Sequence, residues 1–348
     1  MDAFDHLKAK PQLEGPKRHH YISRFYLEGF SDNEGLLRVF DRTDGTIRAQ
    51  QPKDTTVVGH LYTFFDEQDR RRFDLESLFG IVESRAALAT KTLLGGERLS
   101  HEERESLALF IAMTATRTPA AFEEARLVRK EIHRVEMKLR LSSVQRADSI
   151  AKEFLPPATE EEKLRKFAAD AYDMVSGDHF SVTVPKELAR QMSLEQWAPV
   201  AEIIYNRDWT VVDAPDGHDY MSSDSPVVLA PLEGTDDQAL GFGSLHTHVL
   251  FPLSRKVALV MNGDGGRFRR TSVRPEQLRC FNLSVAANCY RFVIGTTEDS
   301  LRQVVDELDL TGTQWQPRME VGVGVHPASG DQAIWIRGRG KRPQAKRS

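Results

Sequence analysis

The 348-residue sequence predicts an α+β fold: an N-terminal β-hairpin module, a central helical region and a C-terminal antiparallel sheet with helices. Three observations predict it. Two β-rich runs, "LLRVFDR" and "TIRAQQP", flank an Asp-Gly turn. From Phe73 the apolar residues take helical spacing. From Trp209 they regroup into short β-rich runs bounded by Gly, Pro, Asp and Asn.

The elements follow in order. Residues 1–15 carry no apolar pattern and are expected to be disordered. Residues 16–64 hold the hairpin, with "HLYTFFD" as a further short strand. Residues 65–207 are the helical region. Its first helix, "DLESLFGIVESRAALATKTLLGG", sets Leu75, Leu78, Ile81, Val82 and Leu88 on one face and stops at Gly95-Gly96. The second opens with Ser100 and Glu103, three residues apart, a capping box. Pro119 ends or bends that helix. A long charged helix follows, and the polar stretch 142–160, with two prolines, reads as a linker or mobile loop. "EEEKLRKFAADAYDMV" and "SLEQWAPVAEIIYN" are two more helices. Residues 208–312 form the sheet region, with the strands "WTVVDA", "PVVLAPL", "THVLFPLS" and "KVALVMN" and a helix that begins at Pro275. Residues 313–348 are an extension with a basic tail.

Composition narrows the function. With 40% hydrophobic and 28% charged residues the chain can bury a sizeable core. Its longest apolar stretch, Leu107 to Ala115, is about half of the ~20 residues a membrane span needs, so no membrane segment is expected. The first residues lack the apolar core of a signal peptide, which implies a cytoplasmic protein. Cys280 and Cys289 are expected in one helix, both buried, at a spacing no disulfide bridges. Two cysteines are too few for a thiolate zinc site. The net charge of -4 gives no global attraction to nucleic acid. The last twelve residues, "RGRGKRPQAKRS", hold six Lys or Arg and no acid, which suits either phosphate contacts with a nucleic acid or a solvated tail.

The order of elements, with "HHYISRFYLEGF", "LLRVFDRTDGTI", "LYTF", "ATRTP", "SSDSPVV" and "FPLSR", resembles a bacterial family known as domain of unknown function 4238. The resemblance covers roughly residues 17 to 295. It implies no established activity. One departure is Ser23, where the family pattern looks more like proline, a change that loosens the turn and removes no chemistry.

Five constellations carry candidate chemistry. His19 and His20 are adjacent, so on a strand they face opposite ways and one of them, preferably His20, reaches a pocket. A histidine pair suits an HNH-type nuclease, but no convincing Asn follows in the hairpin. The plainer reading has one histidine bonded to the backbone and Tyr21, Phe25, Tyr26 and Phe30 packed as core. In "MSSDSPVV" the polar residues Ser222, Ser223, Asp224 and Ser225 form a loop expected to face solvent at a cleft, with Asp224 as general base or carboxylate ligand, or else an Asx turn. His246 and His248 share a strand face, ~6.5 Å apart, and are a weak candidate pair for a divalent metal. Arg117, at a helix end, either answers the helix dipole or extends past it to clamp a phosphate or carboxylate. Arg126 and His133 have the spacing of HEPN ribonucleases on a helix more simply read as a solvated face.

Two functions of different class follow. One is a hydrolytic nuclease cutting a phosphodiester in host defence or a toxin-like role. Its catalytic residues are His19, His20, Arg117 and Asp224, and Ser222, Ser223, Ser225 and Arg24 bind the ligand. The other is a non-catalytic ligand- or protein-binding module. In the first, Arg117 is expected to hold Asp224 ionised.

Overall fold

A computed structural model describes residues 11–233, 239–325 and 332–338. It is α+β, with strands first, helices in the middle and sheets with helices after them. The described residues divide into two compact units. One holds the residues up to 122 together with 193–316. The other holds 123–192 with 317–338. This division cuts across the chain-order segments, because strands far apart in sequence pair.

In the first unit, β1 (Arg18–His20) pairs antiparallel with β4 (Val57–Gly59), and a short helix α1 (Arg24–Glu28) follows β1. The expected hairpin is β2 (Leu37–Asp41) with β3 (Ile47–Gln50); Gly45, at φ +73°, makes its turn. A lone hairpin is marginal in water. Here β2 pairs on its other edge with β13 (Phe292–Gly295), which pairs in turn with β8 (Ser222–Ser223). "HLYTFFD" contributes β5 (Phe64–Phe65), paired with β6 (Arg71–Arg72). The second sheet runs β12-β7-β11-β10-β9, from β7 (Asp208–Asp213), β9 (Val228–Pro231), β10 (Thr247–Pro252), β11 (Val257–Asn262) and β12 (Phe268–Ser272). It departs from the all-antiparallel expectation at one place: β12 pairs parallel with β7.

The helices are α2 (Asp74–Leu94), α3 (His101–Thr116), α4 (Pro119–Arg140), α5 (Val144–Phe154), α6 (Glu161–Ser176), α7 (Lys186–Glu195), α8 (Trp197–Asn206), α9 (Pro275–Ala287) and α10 (Glu298–Leu308). None is long and apolar enough to cross a membrane. The α3 capping box forms: Ser100 Oγ accepts from the Glu103 N–H, and Glu103 accepts from the Ser100 N–H. Leu107, Phe110, Ile111 and Met113 are all buried, so α3 is covered around most of its circumference, as a central helix must be.

Four expectations change. The buried face of α2 is Phe79, Val82, Ala86, Ala89 and Leu93, while Ile81 and Leu88 are exposed. Two of these five are small alanines, which a search for large residues overlooks. Residues 144–154 form α5, capped by Ser143, rather than a linker; again Ala147 and Ala151 supply its buried side. "SLEQWAPVAEIIYN" breaks at Gln196 into the end of α7 and α8. Of residues 1–15, the first ten lie outside the described residues, and Gln12 is tied down: its N–H donates to Asp74, and its carbonyl accepts from the Phe73 N–H.

Phe30 is fully buried beside Tyr26, at a ring distance of 5.1 Å, in the main core with Leu37 and Val39 of the hairpin. Phe30→Ala is expected to cost about 3 kcal/mol, read as a lower midpoint in chemical denaturation. Tyr21 and Tyr26 are buried as expected, and Phe25 is half-buried.

In the second unit, Leu141, Ala147, Ala151, Ala168 and Val175 make a small core. β14 (Met319–Val325) and β15 (Gln332–Gly338) form its hairpin. A Cβ on Gly322 would come within 2.2 Å of the Trp335 ring, so any other residue there would displace the indole. Residues 339–348, most of the basic tail, lie outside the described residues.

Candidate functional site

The β1–β4 pairing decides the histidine question. Period-two alternation turns His19 inward and His20 toward the half-exposed side. His19 is fully buried. Its Nδ1 accepts the Tyr62 N–H at 3.0 Å, so the proton sits on Nε2, which donates to the Pro16 carbonyl at 2.8 Å. The ring stacks on Tyr62, and burial, as the largest effect, lowers its pKa. A neutral imidazole with both nitrogens engaged has no lone pair left for a metal. His20 keeps more freedom. Its Nε2 bonds the Lys53 carbonyl at 3.0 Å, and its other nitrogen has no hydrogen bond among the described residues. Burial lowers its pKa too, with Glu83 pulling it up and Arg18 and Arg117 pulling it down.

Arg117 caps the C-terminal end of α3 and turns inward instead of reaching past the helix into a cleft. It has no exposed surface. Its Nε donates to the Tyr21 carbonyl at 3.2 Å, and one terminal nitrogen to Ser23 Oγ at 2.7 Å and Glu83 Oε1 at 2.6 Å. The guanidinium lies over the Phe79 ring at 4.9 Å. Ser23, the departure from the family pattern, does add chemistry: its hydroxyl donates to Glu83 Oε1 at 2.8 Å while accepting from Arg117.

Two carboxylates that the sequence reading passed over complete this cluster. Glu76 and Glu83 stand seven residues apart on α2, two turns on one face. Their signal was the pair of acids on the inner side of α2, hidden because the apolar face was set on Ile81 and Leu88. Glu76 Oε1 lies 3.7 Å from His19 Nδ1, too far to bond a nitrogen already occupied. The Glu76 side chain, 18% exposed, makes no hydrogen bond among the described residues. Burial pushes its pKa from 4.5 to about 7; Arg117 pulls against this and the charge of Glu83 adds to it. The arrangement is a partly exposed carboxyl that changes protonation near neutral pH, beside an imidazole and near a buried ion pair.

The serine loop is placed differently from the solvent-facing cleft edge expected of it. Ser222, Ser223 and Asp224 are fully buried and Ser225 nearly so, because Ser222 and Ser223 form β8 against β13. Ser222 Oγ bonds the Tyr26 hydroxyl at 2.8 Å, Ser223 Oγ accepts the Ser225 N–H, and the Ser225 carbonyl accepts from Asn288. The Asp224 carboxylate accepts the Tyr290 and Arg291 N–H groups, each at 2.8 Å, and so pins the chain entering β13. Arg117 does not hold it ionised. Burial raises its pKa to about 6, and backbone N–H groups oppose the rise. The cation's carboxylate is Glu83.

The remaining candidates scatter. His246 precedes β10 and is exposed, while His248 lies within the strand and bonds Asn262 at 3.2 Å. Thr247 and Val249 face inward as expected. Among the described residues no three His, Cys, Asp or Glu side chains converge as a metal site. Arg24 pairs with Glu28 at the surface, beside a cavity of about 440 Å³ that Lys53 also lines. Arg126 bonds Glu123 and His133 bonds Glu136, each one turn away on its own helix. Cys289 is buried but Cys280 is exposed; it lies in α9, whereas Cys289 follows the helix cap.

Neither a curated protein nor a solved structure matches the chain. A family pattern does, over residues 18–299, from β1 through the N-terminus of α10. That span holds His19, Glu76, Glu83, Arg117 and Asp224. The chain belongs to DUF4238, a family described as protein of unknown function.

Proposed function

We propose that the chain is a hydrolase acting on a phosphodiester, with Glu76 as its proton-transfer group. The observation that carries this reading is Glu76 itself: a half-buried carboxyl without a hydrogen bond among the described residues, set to change protonation near pH 7. Lys53 stands beside His20 as an exposed cation that favours an anionic substrate, and Arg18, also exposed, pairs there with Asp54 at 3.0 Å. Glu76 takes the proton of an attacking water, the P–O bond to the leaving alcohol breaks, and that proton passes to the alkoxide. The two free cysteines fit a reducing, cytoplasmic setting, and host defence or a toxin-like role is the setting such an activity suits.

Glu76→Gln tests this. Hydrolysis of single-stranded RNA, DNA and a generic phosphodiester is expected to fall by about 10²–10⁴-fold. The same variant has a pH signature. The folded pKa of about 7 lies above the unfolded 4.5, so Glu76 favours the folded state when protonated, and that contribution is lost as pH rises from 4.5 to 7. The loss is up to about 3 kcal/mol. Asp224 acts in the same direction up to about pH 6, while His19 and His20, whose pKa values are lowered from 6.5, act in the opposite direction, so the Glu76 contribution is read as the difference between the variant and wild type. Relative to wild type, Glu76→Gln should therefore gain stability as pH rises from 4.5 to 7 and melt higher at pH 8. A non-catalytic ligand- or protein-binding module is the second reading. It is favoured by the internal use of His19, Arg117 and Asp224, and it predicts the pH signature without any hydrolysis to lose.

A further inference from the structure

A second place in the first unit has unspent recognition chemistry and shares no residue with the Glu76 cluster. β13 runs through Thr296 and Thr297 into α10, an eleven-residue helix. Thr297 caps it, accepting the Ser300 N–H at 3.3 Å. The N–H groups of Glu298 and Asp299, in its first turn, have no partner within the helix and carry the positive end of its dipole. This terminus opens on a cavity of about 700 Å³.

Two further groups in the wall are unsatisfied. Thr296 is 8% exposed and its hydroxyl has no hydrogen-bond partner among the described residues. A buried hydroxyl left in that state costs free energy unless a ligand or water meets it. Arg255, in the "FPLSR" segment, is held by its backbone, whose N–H donates to the Gly29 carbonyl at 2.9 Å. Its guanidinium makes no ion pair or hydrogen bond among the described residues.

The charges around the cavity decide which ligand fits. Each carboxylate there already has a cation. Asp32 pairs with Arg38 at 3.2 Å, Asp219 with Lys256 at 2.7 Å, and Glu298 with Arg302 at 2.6 Å. Arg255 is the cation left over. A planar fork, a helix N-terminus and a hydroxyl together suit a tetrahedral oxyanion. The volume exceeds what inorganic phosphate needs and lies in the range of small-molecule sites. Beyond the cations, Asn33 and the carboxylates of Asp32 and Asp219 line the wall, which are groups that bond hydroxyls.

We propose that this cavity binds a small phosphorylated, hydroxyl-bearing molecule of the sugar-phosphate class, its phosphate on Arg255, Thr296 and the α10 N-terminus. Calorimetric titration at fixed ionic strength tests it with ribose 5-phosphate, inorganic phosphate and ribose as probes. Ribose 5-phosphate should bind most tightly. Arg255→Ala should weaken it at least about tenfold, and Thr296→Val, which keeps the side-chain shape, should weaken it several-fold, with the melting temperature unchanged in the first and raised in the second, which loses an unsatisfied hydroxyl. Phosphate binding as tightly as ribose 5-phosphate would overturn the hydroxyl-bearing class. Ribose binding equally well would overturn the phosphate. Absence of millimolar binding by every probe, or Arg255→Ala at wild-type affinity, would overturn the site.

Discussion

Glu83→Gln is expected to destabilise the protein by about 3–5 kcal/mol, more than removal of its partner Arg117. The asymmetry comes from exposure. Glu83 is 27% exposed and can take water when Arg117 is lost. Arg117 has no exposed surface and cannot shed its proton, so losing Glu83 leaves a buried, unmatched cation. Arg117→Met keeps most of the volume over Phe79 and loses the bonds to the Tyr21 carbonyl and Ser23. The double variant Glu83→Gln/Arg117→Met should recover part of the Glu83→Gln loss, which a denaturant double-mutant cycle measures. Additive losses would mean that the two side chains do not act as a pair. Glu83→Gln should also lower the pKa of Glu76, since it removes a like charge and leaves Arg117 seeking a carboxylate.

Asp224→Ala is expected to cost about 4 kcal/mol, because it strands two backbone N–H groups, those of Tyr290 and Arg291, out of water. Asp224→Asn should fall between. Its single carbonyl oxygen can accept one of the two bonds, and its amide brings donors to a place that needs acceptors. The loss should appear as earlier hydrogen exchange at residues 290–294, where β13 starts, before it appears elsewhere. Near-wild-type stability in Asp224→Ala would withdraw the pinning role and return Asp224 to the list of reactive candidates.

What could be read in the sequence was what is local. The Asp-Gly hairpin, the Ser100–Glu103 capping box and the Gly95-Gly96 stop each lie within a few residues, and each formed. The opposed faces of His19 and His20 also follow from one strand's geometry. Which of them turned inward did not, because Tyr62 and Pro16, reached through folding, supply the bonds that hold His19. α5 was hidden by its alanines. The candidate site failed to show for a related reason: a helix face assigned from large residues put Glu76 and Glu83 outside, when Ala86 and Ala89 on the true face turn them in. Arg117 was singled out for the right element and the wrong direction, since nothing in "ATRTP" tells of Glu83 one helix away.

The second unit is made from two pieces of chain, residues 123–192 and 317–338, with 193–316 between them. During synthesis at ~5–20 residues per second, the first piece leaves the ribosome on the order of ten seconds before its hairpin exists. Ala147, Ala151, Ala168 and Val175 pack among side chains of that first piece alone, so this core draws nothing from the hairpin. The N-terminal hairpin waits longer still, since β2 meets β13 only after residue 295 is made. The first unit therefore cannot close as a vectorial product of its own segment, whereas the core of the second can. Early truncation of this chain therefore leaves an open strand edge at β2, a substrate for chaperones and proteases rather than a smaller working protein.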